Sequence, residues 1–403
     1  MRFVLISTHT DQIIGYSKVA FNLLKQLATL SPRVKTFHFG FQRHPNAGGS
    51  RKVPAGIIQY DAAANEDPKE EGFGFNKIGE YLDMVNPDVV MIYNDPLVIN
   101  RFIEAMKHDR NTAQYKLWIY LDQVYDGIPQ PLLDNIKTHA DRIYCFTDIW
   151  RQHLLKYLPE SESQIKTLEH AVDATVFQKL PTDVRNGVRK NLGIPKDATV
   201  FMNANRNSQR KRLDLTIQGF ARHLKTHENS YLLVVTGANI QQGAYYDLQR
   251  IFIREIKMLG LPDNYLTHLA MIDTSQTMIP DDGMNQLYNA ADIGVNTSDG
   301  EGFGLCQLEH LYTGAPQVVT DVGSYRSFLD ESVAAFVPKS HDIYFSGAMP
   351  MGGWSPAFSP DAVADAMNKV ADNLPAMKEA ASAYKFKSWA TVCDNWLEDV
   401  LEV

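Results

Sequence analysis

The sequence predicts an α/β protein made of two doubly wound, Rossmann-like domains joined in tandem. Three observations predict it: the length, two successive series in which short apolar runs alternate with amphipathic stretches, and a polar connection between the series. At 403 residues the chain exceeds what one hydrophobic core usually serves, and 44% hydrophobic residues are enough to fill two.

The first series opens with an apolar run at 3–7, a loop containing Gly15, and a stretch in which Val19, Leu23, Leu24 and Leu27 recur at helical spacing. Strand-like runs follow at 34–39, 89–93, 117–121 and 142–146, with helical stretches between most of them. Strands alternating with helices imply a parallel sheet covered on both faces. The second series reads as strands at 200–203, 231–236, 266–272, 293–295 and 317–320. The polar stretch 174–195 is the expected linker, and 347–360, with Gly352, Gly353 and three prolines, is an expected excursion on the second domain's rim. These readings place a first domain at 1–175 and a second at 176–383. At 384–403 Phe386, Trp389, Val392 and Trp396 recur at near-helical spacing, so this stretch is expected to be a helix returning to the first domain. Two such domains are expected to face each other across a cleft lined by the carboxyl ends of both sheets, where open α/β sheets bind ligands.

Charge narrows the partners. Lys and Arg number 39 against 47 Asp and Glu, for a net charge of -8, and no basic stripe offsets it, so nucleic acid is not an expected partner. The apolar start reaches His9, Thr10 and Asp11 too soon to be a signal peptide or a transmembrane segment, so a cytoplasmic location is expected. Cys145, Cys306 and Cys393 are scattered and lack metal-ligand spacing, which fits reduced thiols.

The residues that carry chemistry cluster in the second series. From Ser298 to Glu309 the sequence reads SDGEGFGLCQLE, a glycine loop between a strand and a helix with Glu301 and Glu309 eight residues apart. Glycines let a backbone approach a ligand closely, and free amides at a helix start attract an anion such as phosphate. Glu309, inside the helix, can accept paired hydrogen bonds from vicinal hydroxyls such as those of a ribose, whereas Glu301 precedes the helix, nearer to where a sugar would sit. An ordinary helix start with acidic residues would read much the same. A second group, Asn203 to Arg212, follows the first strand of the second series. Arg206 and Lys211 suit a diphosphate, Arg by paired donors and Lys as a mobile charge, whereas Arg210 and Arg212 read as solvated, with Asp214 a potential partner.

Taken together these motifs resemble retaining glycosyltransferases of family 4, which have the two-domain GT-B fold. Glu301 and Glu309 match that family's Glu-x7-Glu pattern, and Arg206 and Lys211 its Arg and Lys pair. Leu287 to Asp292 (LYNAAD) is similar to its helix before the donor strand. Gly314-Ala315-Pro316 and Val319 to Gly323 resemble its next return to the sheet. His170 to Asp173 followed by Phe177 is similar to its interdomain stretch. The wording around Asn205 to Asp214 resembles a subgroup that includes virus-encoded members. The strong resemblance spans roughly 165–330.

The resemblance implies transfer of a sugar from a nucleoside-diphosphate sugar, GDP- or UDP-linked, such as GDP-mannose or a UDP-hexose, to an acceptor hydroxyl on an unidentified carbohydrate, glycoprotein or glycolipid. No separate cofactor is expected, and no metal, since the Asp-x-Asp motif of metal-dependent enzymes is absent. Arg206, Lys211 and the amides of Phe303 and Gly304 would absorb charge on the departing diphosphate, Glu301 would orient the sugar and Glu309 the ribose. Gly15 and Tyr16 would complete the phosphate site, and Gly237, Gly302 and Leu305 belong to the same donor set. Where many relatives place a sugar-contacting His after the strand at 117–121, this chain has Asp122-Gln123, and Asp122, or less readily Asp126, is a candidate to take the acceptor's proton. His9, His44 and His170 have no visible partner in sequence and read as structural. A nucleotide-sugar-binding protein without transfer activity, or an isomerase of the same fold acting on the donor, fits the same motifs.

Overall fold

The structure, a computed structural model, describes the chain except for residues 13, 44–50, 65–67, 108–111 and 346–352. His44 and residues 347–352 of the expected excursion at 347–360 lie outside the described residues. The described chain divides into two compact units, one of Met1–Ala171, Phe345–Trp354 and Lys387–Val403, the other of Val172–Tyr344 and Ser355–Phe386.

In the first unit β1 (Arg2–Thr8) leads to α1 (Gly15–Ala28), β2 (Lys35–Phe41), β3 (Ile58–Asp61), α2 (Ile78–Val85) and β4 (Val89–Asn94). There follow α3 (Pro96–Met106), β5 (Lys116–Leu121), α4 (Gln130–His139), β6 (Arg142–Cys145), α5 (Asp148–Tyr157) and β7 (Ile165–Thr167). The seven strands are parallel in the order β3-β2-β1-β4-β5-β6-β7. β1 is an interior strand between β2 and β4, and Phe3, Val4, Leu5 and Ile6 are fully buried because helices cover both faces. Local chemistry sets the helix starts: Asp95 caps α3 by accepting from the amides of Leu97 and Val98 ahead of Pro96, and Thr147 caps α5.

In the second unit α6 (Thr182–Asn191) precedes β8 (Thr199–Asn203), α7 (Leu213–His223), β9 (Ser230–Thr236), α8 (Leu248–Met258) and β10 (Leu269–Asp273). Then come α9 (Asp281–Ala290), β11 (Ile293–Asn296), α10 (Leu305–Tyr312), β12 (Gln317–Thr320) and β13 (Ala334–Val337). Six parallel strands run in the order β10-β9-β8-β11-β12-β13. β14 (His341–Phe345) and β15 (Gly353–Ala357) form a separate two-stranded sheet, and α11 (Pro360–Asp372), α12 (Leu374–Ala383) and α13 (Trp389–Leu401) end the chain. A buried aspartate ties the second unit together: Asp292 accepts from Arg189, Arg185 and Lys378 and from the amide of Val200.

α13 returns to the first unit, as the spacing of its aromatic residues predicts. It lies against α1, its Trp396 meets Phe3 edge-on at 6.0 Å, and its buried Asp399 pairs with Arg142, Lys166 and Tyr144. Both sheets have the doubly wound order, and the strands read from sequence occur within a residue or two, with two corrections. The run 266–272 begins as a short 3-10 turn, Asp263–His268, and only Leu269–Asp273 pairs with β9, because the amide of Tyr265 bonds back to Pro262 before the strand starts. The expected linker 174–195 contains α6, whose Arg189 is fully buried and donates to the carbonyls of Ala290 and Ala198. Among the described residues no helix is long and apolar enough to cross a membrane.

Candidate functional site

In the second sheet the order reverses between β8 and β11, and the crevice beyond the carboxyl ends at such a switch point is where this topology binds ligands. The two loops leaving these strands carry most of the residues singled out in the sequence. They are stitched together at several points. The amide of Asp299 donates to the Arg210 carbonyl at 3.0 Å, and Thr297 Oγ1 lies 2.6 Å from Thr216 Oγ1 and donates to the Arg212 carbonyl at 2.7 Å.

Within that frame Glu301 is buried and densely satisfied. Its Oε1 accepts from the Lys211 ammonium, from Ser298 Oγ at 2.8 Å and from Asn296 Nδ2 at 3.1 Å, while Arg210 stands 3.5 Å from Oε2 and donates to the Gly300 carbonyl. Burial pushes this carboxyl up, yet Lys211 and Arg210 outweigh it and hold the pKa at about 2. Lys211 is itself lowered by burial, against the pull of Glu301. The site therefore contains an ionised carboxylate locked to a buried cation.

The other donor-side residues take different positions. Arg206 is exposed, and its guanidinium has no partner among the described residues. Gly304 has a φ of +95°, and a Cβ there would stand 2.4 Å from the Tyr325 ring, so the position requires glycine. Its carbonyl receives the amides of Gln307 and Leu308, opening α10 at Leu305, while Phe303 is buried and stacks on Phe328 at 5.0 Å. Glu309, within α10, is buried and accepts from Tyr288 Oη at 3.1 Å. Gly237 follows β9, with Ser275 beside it.

In the first unit Gly15 begins α1, and the next residue, Tyr16, donates its hydroxyl to Asp122 at the end of β5. The structure thus joins two candidates that sequence separates by 106 residues. Burial raises the Tyr16 hydroxyl well above its ordinary value, and Asp122 adds to the effect. His9 and His170 are buried, burial lowers both, His170 to about 3, and His9 receives the amide of Asp11. Asp126 is exposed and lies 3.0 Å from His153.

Three residues escaped the sequence reading. Arg210 reads there as solvated, yet it is half-buried against Glu301 and Gly300, and Ser298 and Asn296 complete the carboxylate's partners. Only the basic character of the loop signals Arg210 in advance. Arg212, by contrast, pairs with Asp214 at 3.0 Å.

Two doubly wound sheets with a returning C-terminal helix define the GT-B fold. Solved structures of similar architecture include that of Anabaena HepE in complex with UDP and glucose, with a TM-score of 0.69, 13% identity and full coverage of both chains. Sucrose-phosphate synthase of Thermosynechococcus elongatus has a TM-score of 0.73 at 15% identity, covering all of this chain and 98% of that one. Residues 184–344 match the family Glycosyl transferases group 1, so the chain carries a domain of that family, and the match falls within the second unit. Similar curated proteins include the D-inositol 3-phosphate glycosyltransferases of Saccharomonospora viridis, 26% identical over 52% of this chain and 46% of that protein, and of Mycolicibacterium smegmatis, 25% identical over 67% and 56%. The alignment spans about half the length of these relatives.

Proposed function

We propose that the chain is a retaining glycosyltransferase of the family 4 type that moves a hexose from a nucleoside-diphosphate sugar to an acceptor hydroxyl. The observation that carries this reading is the arrangement at the β8/β11 switch point, where Lys211, Arg210 and Glu301 interlock in loops that also carry an exposed Arg206 and a glycine-led helix start. A departing diphosphate develops charge, and pre-placed cations and amides stabilise it without reorganising at the moment of reaction. In this reading Arg206 and Lys211 bind the diphosphate, Glu301 orients both Lys211 and the sugar, and Glu309 holds the ribose with Tyr288. Leaving-group charge is met by side chains, so transfer is expected to survive EDTA.

HepE was solved with UDP and glucose, and a trehalose-6-phosphate protein of E. coli of the same fold with UDP-2-fluoro glucose, which supports testing UDP-hexoses beside GDP-hexoses. In the first unit Asp122 is the proposed proton acceptor. The Tyr16 hydroxyl engages the carboxylate there, so the acceptor must displace or share that hydrogen bond.

Incubation with UDP-, GDP- and ADP-hexoses, read by nucleotide release and by the anomeric configuration of the product, tests the proposal. Nucleotide release with a retained anomeric centre in a new glycoside supports it. Binding without release, or conversion of the donor into an isomer, overturns it.

A further inference from the structure

The loop between β9 and α8 is pinned to the loop after β8 by one side chain. Asn207 Nδ2 donates to the Tyr246 carbonyl at 2.8 Å, its Oδ1 accepts from the Tyr246 amide at 2.9 Å, and its own carbonyl accepts from the Tyr245 amide at 3.1 Å. Tyr246 is committed further. Its hydroxyl donates to the Gln209 carbonyl at 3.1 Å, on the turn that carries Lys211, and its ring meets Tyr245 edge-on at 4.8 Å. Tyr245 itself remains 56% exposed. Among the described residues of the loops that follow β8, β9, β10 and β11, it is the one exposed large aromatic ring, since Phe303 is buried.

An exposed tyrosine on a backbone fixed by three hydrogen bonds is costly in apolar exposure and rigid in placement. The residue before its anchor is Arg206, the exposed cation of the switch point. A diphosphate gripped by Arg206 would set its nucleoside beside the loop that carries Tyr245, because Asn207 fastens that loop to the residue next to Arg206. A flat ring with a polar edge, held in place, suits the face of a nucleobase, and such stacking tolerates any base because every base presents a π-face.

We infer that Tyr245 is the stacking platform for the donor's nucleobase, and that Asn207 is the positioning residue that holds it there. The inference rests on the proposed use of a nucleoside-diphosphate donor. It makes the ring a source of affinity for the nucleoside and leaves the choice between bases to other groups.

Calorimetric titration of UDP, GDP and inorganic pyrophosphate into the wild type, Tyr245→Ala, Tyr245→Trp and Asn207→Ala tests it, with thermal melts as a check on folding. Tyr245→Ala is expected to weaken UDP and GDP alike by about tenfold and to leave pyrophosphate unchanged. Tyr245→Trp should restore nucleotide binding, and Asn207→Ala should fall between Tyr245→Ala and the wild type. If the wild type binds UDP and GDP and Tyr245→Ala binds them equally well, the stacking role is wrong while the donor reading stands. Equal loss of pyrophosphate binding in Tyr245→Ala also overturns it, because the ring then acts through the phosphate site. A wild type that binds neither nucleotide overturns the donor reading and the inference with it.

Discussion

The two units share a strand order and differ in what they place at its reversal. At the β1/β4 switch and its flanks, the first unit buries neutral and aromatic groups, Tyr16 tilted against Tyr93 at 5.2 Å and His38 bonded to Ser7 at 2.9 Å, and sets its charges apart from one another or toward the surface: Asp122 held by a phenol, Asp95 capping α3, and Arg43 paired with Asp11 at 3.0 Å. At β8/β11 the second unit sets a buried ion pair with a second cation behind it. The same topology can thus hold a carboxylate against neutral groups or bury a pair of opposite charges, and the difference lies in a few loop residues. Away from the switch points the units converge on one device, a buried aspartate that ties helices to the sheet: Asp399 with Arg142, Lys166 and Tyr144 in the first, Asp292 with Arg189, Arg185 and Lys378 in the second.

All five tryptophans, 118, 150, 354, 389 and 396, fall in the first unit, so their fluorescence reports that unit alone. This makes the contrast testable. The largest effect is expected from ending the chain after Phe386, which removes α13 with its buried Trp396, Cys393 and Val400 and leaves the second unit whole. Loss of one large core aromatic costs about 3–5 kcal/mol, so loss of the helix should unfold the first unit, seen as a red shift of the remaining tryptophans. If those tryptophans stay native, the dependence of the first unit on α13 is wrong.

Lys211→Ala comes next. It strands the buried Glu301 charge with Arg210 as its remaining cation, at a cost of about 3–5 kcal/mol in the second unit, and should lower transfer at least about tenfold. Lys211→Met with Glu301→Gln should recover stability without recovering transfer. Recovery of both would make the pair structural and remove it from the proposed chemistry.

Acid should then separate the units. Asp292 and Glu301 are held near 2, below their ordinary values. Burial opposes this, but Lys378 and Arg189 hold Asp292 down, as Lys211 and Arg210 hold Glu301. A carboxyl depressed in the folded state stabilises above its ordinary pKa and loses that stabilisation as pH falls through the folded value. The second unit is therefore expected to lose on the order of 2–3 kcal/mol per group between pH 4.5 and 2. The buried histidines act in both units. His38 and His170 in the first are lowered to about 3 by burial, as is His310 in the second, and His223 there to about 4. Each stays neutral when folded and takes a proton when unfolded, so stability begins to fall below pH 6.5 in both units. Amide exchange at β8 and tryptophan emission, followed together from pH 7 to 2, should show a shared loss that begins below pH 6.5 and steepens in the second unit below about 4.5.

The smallest effect is expected for Tyr16→Phe. It removes one hydrogen bond to Asp122, worth about 1.5–3 kcal/mol when the acceptor is charged, and should lower the first unit's melt while leaving the second unit's melt unchanged. A loss of nucleotide affinity in the same variant would support the expected part of Tyr16 in the phosphate site.

Much of this was legible in the chain itself. Fully buried parallel strands such as Phe3 to Ile6 must be continuous apolar runs, and the glycine loop before α10 must spell glycine where φ is positive. Strands missed in the sequence are short or half exposed: β3 carries Ile58, Gln59, Tyr60 and Asp61 with none of them fully buried, and β7 has three residues. Neither length nor exposure leaves a period to read. The sequence by itself determined the alternation of elements, the place of the glycine loop and the residue types able to meet a diphosphate, because backbone conformation and burial select residues locally. Tertiary structure alone decided that Lys211 meets Glu301 across 90 positions with Arg210 beside it, that Tyr16 meets Asp122, and that Asn207 anchors Tyr245. Pairing between loops of different strands depends on strand order, and strand order is a property of the whole sheet.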